Sequence, residues 1–232
     1  MISDKKLLKS DYDKLRFVRW LLLLIAAAEA SGLKSLTRSR IHSLLFLSFS
    51  AAPFYDLKPL RQRVKKTKQG PYYRAAHLTL GYLTFADFLV VEEFEPYFSQ
   101  KDLQFDGRFE ITQAGLVASH KLRESHYGGR LYKFLLDLCL ATSQVISQEL
   151  EFDDEDLEGK MLDKILEQDL TYRQALKKIG DIIRLEDMDQ DFNPTVKGLN
   201  VIDEYLKVRK FINRKDVLSA YQVLLRERAE VA

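Results

Sequence analysis

A single cysteine, Cys139, stands in a chain of 232 residues. That scarcity excludes an intramolecular disulfide and any zinc site built from clustered cysteines, and it fits a reducing cytoplasm. Within Leu135-Leu136-Asp137-Leu138-Cys139-Leu140 the thiol has no activating neighbour, so it reads as a small buried hydrophobe. Long apolar runs are missing as well. The greatest, Trp20 to Ala28, covers nine residues, far below the roughly 18 needed to span a bilayer. Followed by Ala28-Glu29-Ala30, it imitates a secretory leader, but the many charges ahead of it do not suit one. We expect a buried first helix in a cytoplasmic protein with no membrane contact.

Signatures of chemistry are also absent. The chain has no Gly-x-Ser-x-Gly turn and no glycine-rich phosphate loop. His120 and His126 are spaced so that they do not share a helix face. Asp187, Asp189 and Asp191 imitate the opening of a calcium loop. However, Phe192 stands where the sharp turn requires glycine, and Gly198 where a bidentate glutamate belongs. The expectation is a protein without catalytic residues, metal or cofactor.

What the chain does have is an ordinary core-forming composition, 46% hydrophobic and 30% charged, with charge unevenly placed. Met1 to Arg74 carries 16 Lys/Arg against 5 Asp/Glu, and the rest carries 20 against 29, so the first part is net +11 and the remainder −9. Such asymmetry points to a polyanion or an acidic partner for the first part. The positive charge peaks in an acid-free collar of Lys58, Arg61, Arg63, Lys65, Lys66 and Lys68, with Arg74 beyond a Gly70-Pro71 break. Arg61, Arg63, Lys65, Lys66, Lys68 and Arg74 are the candidate nucleic-acid contacts. Six phosphate contacts would give a steep salt dependence. A merely solvated loop and an acidic protein surface are the alternatives for this collar.

Helical periodicity dominates the pattern. Lys14 to Ala30 reads as a helix apolar nearly all round, ended by Ser31-Gly32, and Thr37 caps a second helix through Phe49. Pro71 suits the first turn of a third helix, along which Tyr72, Ala75, Ala76, Leu80 and Leu83 recur. Two short strands follow, Phe88 to Phe94, stopped by Pro96, and Arg108 to Ile111, with Glu95 to Gly107 as a wing tip between them. Thr112 opens another helix. Beyond Gly128-Gly129 every strong segment reads as helical, including one over Leu176, Ile179, Ile182 and Ile183 opened by Thr171 and Gln174; Thr195 and Asn213 cap the last two helices. Glu151 to Glu158, six acids in eight residues, reads as a solvated linker.

This order predicts a mainly α protein with a small β-hairpin wing. A winged helix-turn-helix domain covers residues 10–127, and a helical C-terminal region covers 128–232. The third helix is rich in aromatics and poor in side chains that read base edges. Tyr72, Tyr73 and Tyr82 are therefore candidates for contact with a protein partner, with base stacking by Tyr72 and Tyr73 as the lesser alternative.

Gln69-Gly70-Pro71-Tyr72 entering a helix, preceded by Ser39-Arg40-Ile41-His42-Ser43-Leu44-Leu45-Phe46-Leu47, resembles the winged-helix middle components of bacterial ABC-three-component systems, including the third subunit of Lamassu antiphage systems. Phe109-Glu110-Ile111-Thr112-Gln113-Ala114-Gly115 resembles the exit from the wing in many winged-helix proteins. The resemblance implies a non-enzymatic antiviral-defence subunit joining an SMC- or Rad50-like coiled-coil ATPase to an effector, often a nuclease, with non-specific DNA contact. Only Gly70-Pro71-Tyr72 and its helix map onto that motif, in an architectural role. A winged-helix transcription regulator or antitoxin that binds duplex DNA directly is the alternative.

Overall fold

A computed structural model describes residues 11–33, 36–98, 103–147, 155–185, 193–208 and 213–231. At its centre lies α1 (Asp11–Ala30), with Phe17 and every residue from Trp20 to Ala28 buried. No polar face could survive that enclosure, which is why the sequence shows none. Trp20 meets Phe49 edge-on at 5.0 Å and donates its indole N–H to Ser48 Oγ at 3.1 Å, so its one polar atom is satisfied inside the core. α2 (Arg38–Ala51) is buried from Arg40 onward, and Thr37 caps it by accepting the Arg40 N–H. A 3-10 turn, Ala52–Tyr55, carries Pro53.

The basic stretch is not the approach to a helix. It forms β1 (Arg63–Thr67), which turns back into β2 (Gly70–Tyr72). Gly70 takes φ 98°, a value that costs other residues a steric clash, and the turn closes when Thr67 Oγ1 donates to the Gly70 carbonyl at 2.9 Å. Pro71 therefore sits in a strand, and α3 (Arg74–Phe85) starts three residues later than expected. His42 fixes that start by accepting the Tyr73 N–H at Nδ1, 2.8 Å away. Burial pushes the His42 pKa down to about 3, so the ring is neutral and Nδ1 is free to accept.

β3 (Leu89–Phe98) and β4 (Leu103–Ile111) form a two-stranded antiparallel ribbon. Pro96 does not stop β3 but pairs in register with Phe105, beyond a bulge between Glu92 and Glu95 where Glu93 adopts φ 51°. A strand on the edge of its sheet can lack one N–H without loss. Residues 99–102, between the two strands in sequence, lie outside the described residues. Thr112 caps α4 (Gln113–Glu124) by accepting the Gly115 N–H, as its position predicts.

α5 (His126–Ser147) packs along α1 and against α9 (Arg214–Val231), and α6 (Glu155–Gln168) packs against α2 and α9. α7 (Leu170–Ala175) is short, and the chain then enters β5 (Ile182–Arg184), a third strand beside β1. The helix expected over Leu176 to Ile183 is thus absent. Asn213 caps α9 by accepting the Asp216 N–H, but α8 (Pro194–Lys207) is capped by Asn193 and not by Thr195. Cys139 is fully buried, and burial pushes its thiol pKa far up. Of the linker expected over Glu151 to Glu158, residues 151–154 lie outside the described residues and Glu155 to Glu158 form the first turn of α6 instead. Residues 186–192, which include Asp187, Asp189 and Asp191, also lie outside the described residues. The architecture is mainly helical with small antiparallel sheets, and one hydrophobic core runs from Phe17 to Leu225.

Candidate functional site

Strand alternation sorts the collar into two kinds of cation. Arg63 and Lys65 point outward from β1, while Val64 between them is fully buried. Lys66 falls on the inward side with Val64. Its Nζ donates to the Leu176 carbonyl at 2.8 Å and lies 4.6 Å from the centre of the Tyr172 ring. That side chain is occupied in holding β1 to the turn after α7, so it leaves the set of candidate phosphate contacts. Lys68 is exposed at the hairpin tip, and Ser39 Oγ pins that tip to α2 through the Gln69 carbonyl at 2.9 Å. Arg61 is exposed just before β1, and Arg74 is half-buried on the first turn of α3, so neither belongs to the sheet face.

The late strand β5 enlarges this face. Arg184 stands directly opposite Arg63, and Ile182 and Tyr72 flank Lys65 from the two neighbouring strands. Ile182 and Arg184 are exposed, alternating with half-buried Ile183. Lys177 and Lys178, both exposed, precede β5 in a turn tied to β1 by Lys66 N–H to the Asp181 carbonyl and Gly180 N–H to the Lys66 carbonyl, each 2.9 Å. Asp181 Oδ2 accepts the Lys178 N–H at 2.7 Å. Lys177, Lys178 and Arg184 were missed as candidates. The available signal was the β-branched pair Ile182-Ile183 just after Gly180, a strand cue read instead as helix.

The three candidate tyrosines part company. Tyr73 is 1% exposed, T-shaped against Phe49 at 5.6 Å, and belongs to the core, where it meets no partner. Tyr72 is half-buried with its ring parallel to His42 at 5.2 Å. Tyr82 is 65% exposed. Along α3 it lies four residues after Leu78, 39% exposed, and three before Phe85, 95% exposed, so the three make an apolar stripe one helical turn apart. The opposite side, with Ala75, Ala76, Thr79, Leu80 and Leu83, is buried. Among the remaining outward positions, Arg74, His77 and Thr84 are half-buried.

A second polar assembly lies wholly inside. Asp169, fully buried, accepts hydrogen bonds from the Tyr172 N–H at 3.0 Å, the Thr195 hydroxyl at 2.9 Å and the Tyr221 hydroxyl at 3.0 Å. Asn193 accepts from the Thr171 hydroxyl at 2.8 Å and donates to the Ser50 carbonyl at 2.9 Å. These bonds tie α7, α8 and α9 to the end of α2, and Asp169, Thr171, Asn193 and Thr195 are all buried. The assembly is structural.

An open groove of about 750 Å³ lies beside Lys66, lined by Tyr172, Leu176, Glu167, Glu227, Arg173 and Arg228, and Lys177 lines it as well, at the edge it shares with the turn into β5. Its mixed rim offers no field of one sign. Among the described residues no three His, Cys, Asp or Glu side chains converge as a metal site, and no helix is long and apolar enough to cross a membrane. No family model, curated protein or solved structure matches the chain, so what it does must be read from these two surfaces, the basic sheet face and the apolar side of α3.

Proposed function

We propose that the chain is a winged-helix accessory subunit of an SMC- or Rad50-like ATPase complex, of the kind found in Lamassu-type antiviral defence. In this reading it docks on the coiled-coil ATPase or its effector through α3 and touches DNA without sequence preference. The winged-helix part is supported by the order α1, α2, α3, β3, β4. It is also supported by the extended residues between α1 and α2: Thr37 bridges Arg108 on β4, and the Phe109 N–H donates to the Leu36 carbonyl at 3.1 Å. That single bridge lies beside β4 where the short first strand of a wing would pair.

One observation carries the functional choice, namely the stripe Leu78, Tyr82 and Phe85 on the outward side of α3. In a DNA reader this side would hold the arginines, asparagines and glutamines that meet base edges. Exposed apolar side chains in a row suit a protein interface, whose centre is apolar and aromatic. The fitting partner surface is apolar. A regulator that reads an operator through α3 is disfavoured by the same stripe.

The test uses a photo-crosslinking amino acid at Tyr82, with exposed Val201 on α8 as the control position, in the cells that naturally make the chain, and identifies the adducts by mass spectrometry. An adduct with the ATPase or its effector from position 82 and none from 201 is the expected result. Absence of that adduct while position 82 crosslinks to duplex DNA would replace this reading with the regulator.

A further inference from the structure

We infer that the outward face of the β2-β1-β5 sheet, with the Lys177-Lys178 turn beside it, is a single binding surface for the phosphodiester backbone of nucleic acid. It follows that the late segment around β5 supplies a share of its cations. This deepens the non-specific DNA contact proposed above and rests on it.

The first support is the register. Arg63 and Arg184 are directly opposed across two antiparallel strands, with Lys65 two residues along on the same face. A polyanion lying across the two strands meets both arginines at once. Residues two apart on a strand are about 6.7 Å apart and neighbouring strands about 4.8 Å. Arg63, Lys65 and Arg184 therefore form a compact triangle that can meet several successive phosphates, since duplex DNA presents a charge every ~1.7 Å of axis.

A second support separates nucleic acid from an acidic protein. Protein interfaces concentrate apolar side chains at their centre and lose charge there. On this face the charges are central, and the exposed aliphatic side chains stand singly among them, Ile182 on β5 and Ile179 in the adjoining turn. Nucleic-acid interfaces are the ones that are polar and positively charged throughout. The face is also rigid for a surface strand set. Ser39 holds the hairpin tip, and the Lys66 ammonium and its backbone bind the turn leading into β5. Cations on such a frame need not be ordered by the ligand.

The experiment is fluorescence anisotropy of the full chain with a short mixed-sequence duplex, titrated at several salt concentrations between about 50 and 200 mM. The slope of log affinity against log salt is compared for the native chain, for R63A/K65A, and for K177A/K178A/R184A. Each lost phosphate contact makes the slope shallower by about 0.9. We expect a change near 2 for the β1 pair and between about 2 and 3 for the late triple, with a scrambled duplex behaving identically. Should the triple variant lose helical signal, K177A and K178A singly, on the turn outside the strand, carry the same measurement at about 0.9 each.

An unchanged slope in the late variants at unchanged melting temperature would overturn the inference. So would the native chain failing to bind duplex at the lowest salt, or poly-glutamate competing as well as duplex at equal charge. The failure of the partner reading shows up elsewhere, as loss of the Tyr82 adduct with these slopes intact.

Discussion

Replacing Asp169 by alanine is expected to lower stability by about 3–5 kcal/mol, because three buried donors lose their acceptor at once. The Tyr172 N–H, the Thr195 hydroxyl and the Tyr221 hydroxyl all converge on this carboxyl, and Tyr221 in turn accepts the Leu170 N–H at 3.3 Å. Asp169, Thr195 and Tyr221 are all buried, so each orphaned group bears its desolvation cost. In a protein of this size the melting temperature should fall by roughly 10 °C. D169N, which keeps shape and an acceptor oxygen, should lose less than half of that.

The sign of the pH dependence follows from the raised pKa of Asp169, which burial holds above the ordinary carboxylate range against the opposing pull of its hydrogen bonds. The folded state then holds the proton more tightly than the unfolded chain. The stability from this group is present below the ordinary aspartate range and declines as pH rises through the folded value. D169N removes that dependence. Urea titrations of the native chain, D169A and D169N across a pH series provide the measurement. A loss under 1 kcal/mol in D169A would show that the assembly is not the tie between α7, α8 and α9.

Gly128 to alanine should cost about 2–3 kcal/mol, with Gly129 to alanine costing clearly less. A Cβ built on Gly128 would lie 1.8 Å from the Leu122 carbonyl oxygen and 2.7 Å from Ser125 Oγ, and the first of these is backbone that cannot swing aside. At Gly129 the nearest atom, the Arg123 carbonyl oxygen, is 3.0 Å away. The close approach lets α4 turn directly into α5, with Ser125 Oγ accepting the Gly128 N–H at 3.1 Å. α5 carries that corner against α1, so the cost reaches the centre of the core. Thermal unfolding of the two single variants checks the order. Equal and small losses would mean that the α4–α5 corner has room to relax.

Where local chemistry decides structure, the sequence was legible. Thr37, Thr112 and Asn213 cap helices as their positions predict, because a capping side chain acts within three residues of itself. The apolar encirclement of Trp20 to Ala28 reports its central place for the same reason. What stayed hidden depends on distant partners. Pro71 has a backbone angle equally suited to a helix start and to an edge strand, and the choice was made by β1, which pairs with β2 on one side and with the late β5 on the other.

Once the collar is a strand, alternation alone separates Lys65 on the surface from Lys66 on Tyr172. The end of β2 separates half-buried Tyr72, its last residue, from buried Tyr73 at the start of α3. A reader who takes the segment for a loop or helix has no ground to tell these neighbours apart. Half of the candidate site was therefore visible as charge, while Arg184, Lys177 and Lys178 became visible only through the fold. Asp169 gave no cue at all, since a lone aspartate before Leu170 looks like any solvated cap.

The measurement that bears most directly on the division of labour between the two surfaces is amide hydrogen exchange of the full chain, alone and saturated with duplex DNA. Protection by DNA should rise in residues 63–67 and 182–184 and in the turn at 177–181, with α3 exchanging at its unliganded rate. Protection concentrated in α3 and absent from the three-stranded sheet would contradict the account.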